Sequence, residues 1–365
     1  MENLLTIIGI LVISTWLIVH YYKINETTPV SRYRESLLLL AMILFVFITR
    51  IPRIENIEHN VDTSVWIASI LALKVFPDKL WVFLNYTDSR PLTVLPLYLV
   101  SLLGVEINYI STEIVAVVIW LTIGLILHKT FQLFISTELS LILVWLLWMV
   151  IATSHFSDYN VYNSEPPGIL AITLCTYWYL KFRKTGRISP YKTVLLGFCL
   201  GSLPYIKFQN IPMGLVIGAF SLVAMAQLKY WKLIGLLILS ALLPTLLMNI
   251  YYLMVGKLSD FWVNYFWNYY YYSYSTQFSS MPIYERFGWN RVKWFILSIE
   301  TSKWFLRGLI ACNIIFMFWW IKSKIDLFRF FNFSFAVLLV FTSFYAILQA
   351  GNDFPHYILY IFRRK

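Results

Sequence analysis

The sequence predicts an all-α polytopic membrane protein of about ten transmembrane helices, with a large first outer loop that carries interfacial helices. Three observations predict it. Hydrophobic residues make up 59% of the 365 positions and charged residues only 13%, with mean hydropathy +0.69; a soluble domain cannot bury that much apolar surface behind a charged exterior. Aromatic residues reach 19%, with 15 Trp and 25 Tyr, as expected where amphipathic rings sit at bilayer interfaces. The Lys and Arg that give the formal net charge of +11 flank the apolar runs. That pattern is what membrane topology requires, and it excludes a nucleic-acid partner.

Taken in order, Leu4 to Tyr22 is long enough to span a bilayer core of about 30 Å. Its acidic start, MEN, reads as a retained helix rather than a cleaved signal. Residues 1–35 thus form an N-terminal helix and a cytoplasmic loop with Lys23, Arg32 and Arg34. Ser36 to Ile51 is a second apolar run. Residues 51–91 form the first outer loop, and Leu92 to Leu103 is too short to span, so it reads as interfacial. Ile110 to Leu127 returns inward and ends at His128-Lys129; Leu139 to Ala152 leads out to SHFSDYNVYNSEPPG; Ile169 to Leu180 returns to the basic connection KFRKTGRISPYK. Further runs follow from Val194, Met213 and Leu233. Residues 256–302 form a second large outer loop, and Trp304 to Ile321 and Phe330 to Leu348 close the set. Most of the 29 basic residues fall on the inner connections by this map, and most of the 18 acids fall outside. Acids contribute little to orientation, so their excess outside points to a site.

The outer connections hold the candidates. The segment 51–91 carries Glu55, Glu58, Asp62, Asp78 and Asp88. Asp62 stands before an amphipathic run, either as a helix N-cap or as a reacting carboxylate. Asp78 reads as a cap. Asp88-Ser89-Arg90-Pro91 looks like a helix start, with Arg90 facing either an anionic substrate group or lipid headgroups. Asp158 and Glu165 lie in the second outer connection, where the helix dipole favours Glu165. Lys207, in PYIKFQ, is either a snorkelling lysine or a phosphate contact. Arg286, Arg291 and Lys293 form a basic cluster suited to lipid headgroups or to a lipid-linked phosphate, and His356 stands near the end. The aromatic tract from Phe261 to Tyr274 reads as an interfacial belt or a sugar-stacking platform. Cys175, Cys199 and Cys312 lack metal-ligand spacing and read as structural thiols. No Gly-rich phosphate loop, HExxH or Ser-His-Asp arrangement is visible. Acids, aromatics and cations at an outer membrane face suit group transfer from a lipid phosphate, with a carboxylate as base and basic groups, or a divalent metal ion, steadying the leaving phosphate.

The order of these motifs resembles the GT-C class of membrane glycosyltransferases, the group of protein O-mannosyltransferases and lipid A aminoarabinose transferases. The matching stretches are NVDTSVWIASILAL, RPLTVLPLYLVSLLG, SEPPGILAITLCTYWYLKFRK, GFCLGSLPYIKFQNIP and FPHYILYI, spread over residues 36 to 362. The resemblance implies inverting transfer of a sugar from a polyprenyl-phosphate carrier to a glycan, lipid or protein acceptor on the non-cytoplasmic side. It implies Asp62 as catalytic base, with Asp158 or Glu165 holding the acceptor or a metal. Two departures stand out. The family usually shows two adjacent acids where this chain has Asp62-Thr63, and it continues for several helices beyond the FPHY region, so the chain reads as C-terminally truncated. A polysaccharide polymerase or ligase shares this chemistry. A secondary transporter fits less well, since the candidate acids lie in connections and no internal repeat is visible.

Overall fold

In an apolar surround every backbone N–H and C=O must be satisfied within its own segment, so long apolar runs become helices. The computed structural model describes residues 12–14, 32–76, 91–153, 161–274, 281–290, 292–293 and 327–349; these form helices and short connections, with no strand among the described residues. In chain order the helices are α1 (Arg32–Arg50), α2 (Val61–Val75), α3 (Pro91–Leu102), α4 (Tyr109–Phe131), α5 (Thr137–Thr153), α6 (Glu165–Thr185) and α7 (Pro190–Ile206). They continue with α8 (Ile211–Gln227), α9 (Trp231–Met254), α10 (Leu258–Trp262), α11 (Asn268–Tyr274), α12 (Ile283–Arg286) and α13 (Leu327–Gln349).

Local chemistry sets the boundaries. Asn108 and Ser111 form a reciprocal capping box at the start of α4, and His128 and Lys129 occupy its last turn. α6 stops at Gly186, whose φ of 64° is the left-handed conformation that glycine adopts without a Cβ penalty. Ser189 caps α7 by accepting a hydrogen bond from the Lys192 N–H, and Pro190 fills the first turn.

Five stretches are long and apolar enough to cross a membrane: Tyr33–Arg53, Tyr109–Phe131, Phe208–Gln227, Trp231–Met254 and Phe330–Gln349. α9 turns much of its surface outward, with Leu239, Leu242, Leu246, Leu253 and Met254 all exposed. A contiguous apolar face of that kind suits lipid rather than water. Of the other expected spans, α5 and α7 have 17 residues each, and α6 has 21 but ends in Arg183 and Lys184. α3, at 12 residues, is short as expected. The runs 4–22 and 304–321 lie outside the described residues apart from a helical turn at 12–14. Residues 258–274, read as part of an outer loop, are helical, with a π-helical turn at Val263–Trp267.

Packing follows small residues. The most extensive helix pair is α7 with α9. A Cβ on Gly201 would lie 1.9 Å from the Ala241 carbonyl oxygen, and one on Gly197 would lie 2.0 Å from Ser240 Oγ. Gly197 and Gly201 are one helical turn apart, the small-xxx-small spacing that lets two backbones meet. Cys175 is buried and Cys199 half-buried, both among apolar residues; Cys312 lies outside the described residues.

Hydrogen bonds between helices sort into two ends. At one, Glu35 of α1 accepts from His128, Lys129 and Gln132, Arg183 donates to Gln227, and Tyr230 donates to the Gly186 carbonyl. Lys184 donates there to the Leu133 carbonyl. This is the basic end. At the other, Arg50 meets Glu113, Arg53 donates to the Ala152 carbonyl, and Gln209 donates to the Ala346 carbonyl. The long helices α1, α4, α5, α6, α7 and α8 therefore alternate in direction, and the connections 51–60, 161–164 and 207–210 share the second, acidic end.

Candidate active site

The chemistry-bearing residues of the acidic end begin with the first turn of α2. Asn60 is the N-cap, its side chain accepting the Asp62 N–H at 2.8 Å. Asp62 therefore sits inside the first turn rather than at the cap, which is a correction to the capping reading. A half-buried carboxylate there faces the positive end of the helix dipole, which favours its anion. Asn60→Ala is expected to lower thermal stability by about 1 kcal/mol through loss of the cap, measured by thermal unfolding in detergent.

Thr63 accounts for the missing second acid. It is 3% exposed, and its hydroxyl donates to the Tyr162 carbonyl at 2.8 Å. An ionised carboxylate accepts only and could not make that bond. Tyr162 is wholly buried and packs edge-on against Trp66 at 5.4 Å. Its hydroxyl donates to the Thr93 carbonyl at 2.6 Å, and burial pushes its pKa well above the usual tyrosine range, so it remains a donor. Thr93 in turn donates to the Ile206 carbonyl. A continuous relay thus ties the start of α2 to the end of α7, where Lys207 follows.

Lys207 is the C-cap of α7 and forms an ion pair with Glu165 at the start of α6. Glu165 is fully buried and the Lys207 side chain is 12% exposed. Asn163, also buried, accepts the Glu165 N–H through its Oδ1 at 3.2 Å. Asn210 lies beside them. It packs on Gly168, where an added Cβ would come within 2.5 Å of its Nδ2. Asn210 is completely buried, yet neither of its side-chain polar atoms has a partner among the described residues. An amide left in that state costs about 1–3 kcal/mol, so a ligand that satisfied it would recover that amount.

The same end holds a pair that the sequence reading missed. Arg50 and Glu113 meet at 3.2 Å with 5% exposure on each side chain, and His59 Nε2 lies 3.9 Å from the same carboxylate. The available signal was an acid near the start of an apolar span, Glu113 of α4.

The remaining candidates divide. Arg286 is buried and donates to the Met281 carbonyl and to the Gln349 carbonyl at 2.8 Å, so it clasps the C-terminus of α13. Lys293 is exposed. Asp78, Asp88, Arg90, Asp158, Arg291 and His356 lie outside the described residues. Part of the aromatic tract is internal: Phe261 stacks on Tyr252 at 4.2 Å and on Tyr265 at 5.1 Å, and Tyr265 stacks on Tyr205 at 5.2 Å. Phe266, Trp267, Tyr270 and Tyr271 point outward. A divalent metal ion needs several converging oxygen or nitrogen ligands. Among the described residues no three His, Cys, Asp or Glu side chains converge in that way, and Glu165 is already matched to Lys207, so this set does not fit a metal ion.

No protein-family model, no curated protein and no solved structure matches the chain.

Proposed function

We propose that the chain is a membrane-embedded glycosyltransferase that moves a sugar from a polyprenyl-phosphate donor to a glycan, lipid or protein acceptor at its acidic end, on the non-cytoplasmic face of a cell membrane. The observation that supports this most is the series of hydrogen bonds from the first turn of α2 to the end of α7, which ties together the elements that carry Asp62 and Lys207 at one end of an apolar bundle. In the proposed step Asp62 takes the proton from the acceptor hydroxyl. That oxygen bonds to the anomeric carbon from the face opposite the phosphate. The carbon–phosphate-oxygen bond breaks, and its electron pair leaves with the polyprenyl phosphate, inverting the centre. Lys207 steadies the new phosphate charge, while Glu165 holds the lysine in place and the Asn210 amide meets a sugar hydroxyl. A polysaccharide polymerase or ligase would use the same step on a longer acceptor.

The test is to reconstitute the full chain in lipid and supply radiolabelled polyprenyl-phosphate sugars with a crude envelope acceptor. Transfer of label from at least one donor, with release of polyprenyl phosphate, is the expected result. If no donor is consumed, the reading fails. One observation favours a second reading: the buried Arg50–Glu113 pair, joined by His59, is the kind of ionisable cluster that secondary transporters place between helices. Uptake of label into sealed vesicles without any transfer would support it.

A further inference from the structure

The basic end contains a cavity of about 290 Å³ between the last turns of α6 and the first turn of α7. The transfer reading does not use it. Trp178 and Phe182, one helical turn apart on α6, and Ile188 form its apolar wall, and Lys181, Arg187, Ser189 and Lys192 complete the lining. No carboxylate lines it. Lys181 is held over the Tyr177 ring, its Nζ 3.0 Å from the Tyr177 hydroxyl, which fixes one cation at the rim. Arg187 and Lys192 are exposed. The positive end of the α7 dipole points into the same space and adds to the field of the three cations. A concave site lined by three cations, a helix start and two aromatic rings suits a group with a phosphate head and an apolar shoulder.

We propose that this cavity binds a phosphate-bearing anion at the basic face, separately from the acidic-end site. The anion has two sources: the headgroup of an anionic membrane lipid, or a soluble phosphate. The aromatic wall of Trp178 and Phe182 and the place of the cavity at the end of the apolar helices favour the lipid.

Native mass spectrometry of the full chain in detergent, titrated with dioleoylphosphatidylglycerol, dioleoylphosphatidylcholine or inorganic phosphate, tests this. The wild type should retain at least one phosphatidylglycerol more tightly than phosphatidylcholine. The variant Arg187→Gln/Lys192→Gln should bind it about tenfold or more weakly, given roughly 1 kcal/mol per basic residue near a headgroup. The control Lys229→Gln/Lys232→Gln removes the same charge from the same end but outside the cavity, and should bind as the wild type does. Retention of inorganic phosphate by the wild type and not by the cavity variant, with no lipid preference, would support the site and assign it to a soluble anion. Equal loss in both variants, or no loss in the cavity variant, overturns the proposal. Melting temperatures of both variants check that neither result reflects misfolding.

Discussion

Gly201→Leu is expected to yield no correctly folded protein. The α7–α9 pair is the broadest helix contact. At Gly201 even a single added carbon would sit 1.9 Å from the Ala241 carbonyl oxygen and 2.7 Å from its carbon. These are backbone atoms, which cannot rotate away as a side chain does. Overpacking a close interface costs about 1–3 kcal/mol, and more where backbone must move, a large part of a marginal stability. Separating the two helices would also displace Tyr205, whose hydroxyl donates to Thr245 of α9 at 2.9 Å, and would loosen Lys207 just beyond. The internal control is Gly235→Ala on α9, where nothing lies within 4 Å of the added carbon. There, removing a mid-helix glycine is expected to raise stability by up to about 1 kcal/mol. Size-exclusion profiles and thermal unfolding in detergent read both; a Gly201→Leu protein with a wild-type melting temperature would refute the close-packed seam.

Breaking the Glu165–Lys207 pair from either side is the second large expected effect. Glu165 has no solvent exposure and Lys207 very little, so removing one partner leaves the other charged in a poorly solvated place. Such single removals cost about 3–5 kcal/mol, while exchanging both partners for apolar residues of similar volume is often nearly neutral. Glu165→Leu and Lys207→Met should therefore each lower the melting temperature strongly. The double variant should recover much of the loss, so the coupling between the two sites should reach at least about 3 kcal/mol, the upper end for contacting pairs. Additive losses in the double variant would show that the two residues act independently. The double variant also separates stability from chemistry: it should fold, yet transfer poorly for want of a cation near the leaving phosphate.

The helices were readable because an apolar run has no alternative in a lipid surround. The expected run Ile110 to Leu127 differs from α4 by a capping box at one end and a basic turn at the other. Hydropathy alone does not place the boundary between α6 and α7, which is set by Gly186, Ser189 and Pro190. Within the site, Asp62, Glu165 and Lys207 stood out as polar residues on connections assigned to one face. Their linkage did not, because it runs through backbone carbonyls of Tyr162, Thr93 and Ile206, which carry no sequence signature. Arg50 and Glu113 are 63 residues apart, and each lies at the edge of an apolar run, where hydropathy averages it away. The capping alternative for Asp62 lies two positions from the observed cap, since Asn60 and Asp62 are both good N-caps and only the turn geometry chooses between them.

In the proposed function Asp62 is the base of a glycosyl transfer. Asp62→Asn keeps the size of the side chain and leaves the Asn60 cap in place, but removes the basic lone pair. With the purified chain in lipid, a labelled polyprenyl-phosphate sugar and a saturating acceptor, the rate of label transfer should fall by roughly 10²- to 10⁴-fold, with the melting temperature unchanged and Asp62→Glu retaining part of the activity. Transfer by Asp62→Asn at the wild-type rate would contradict the account.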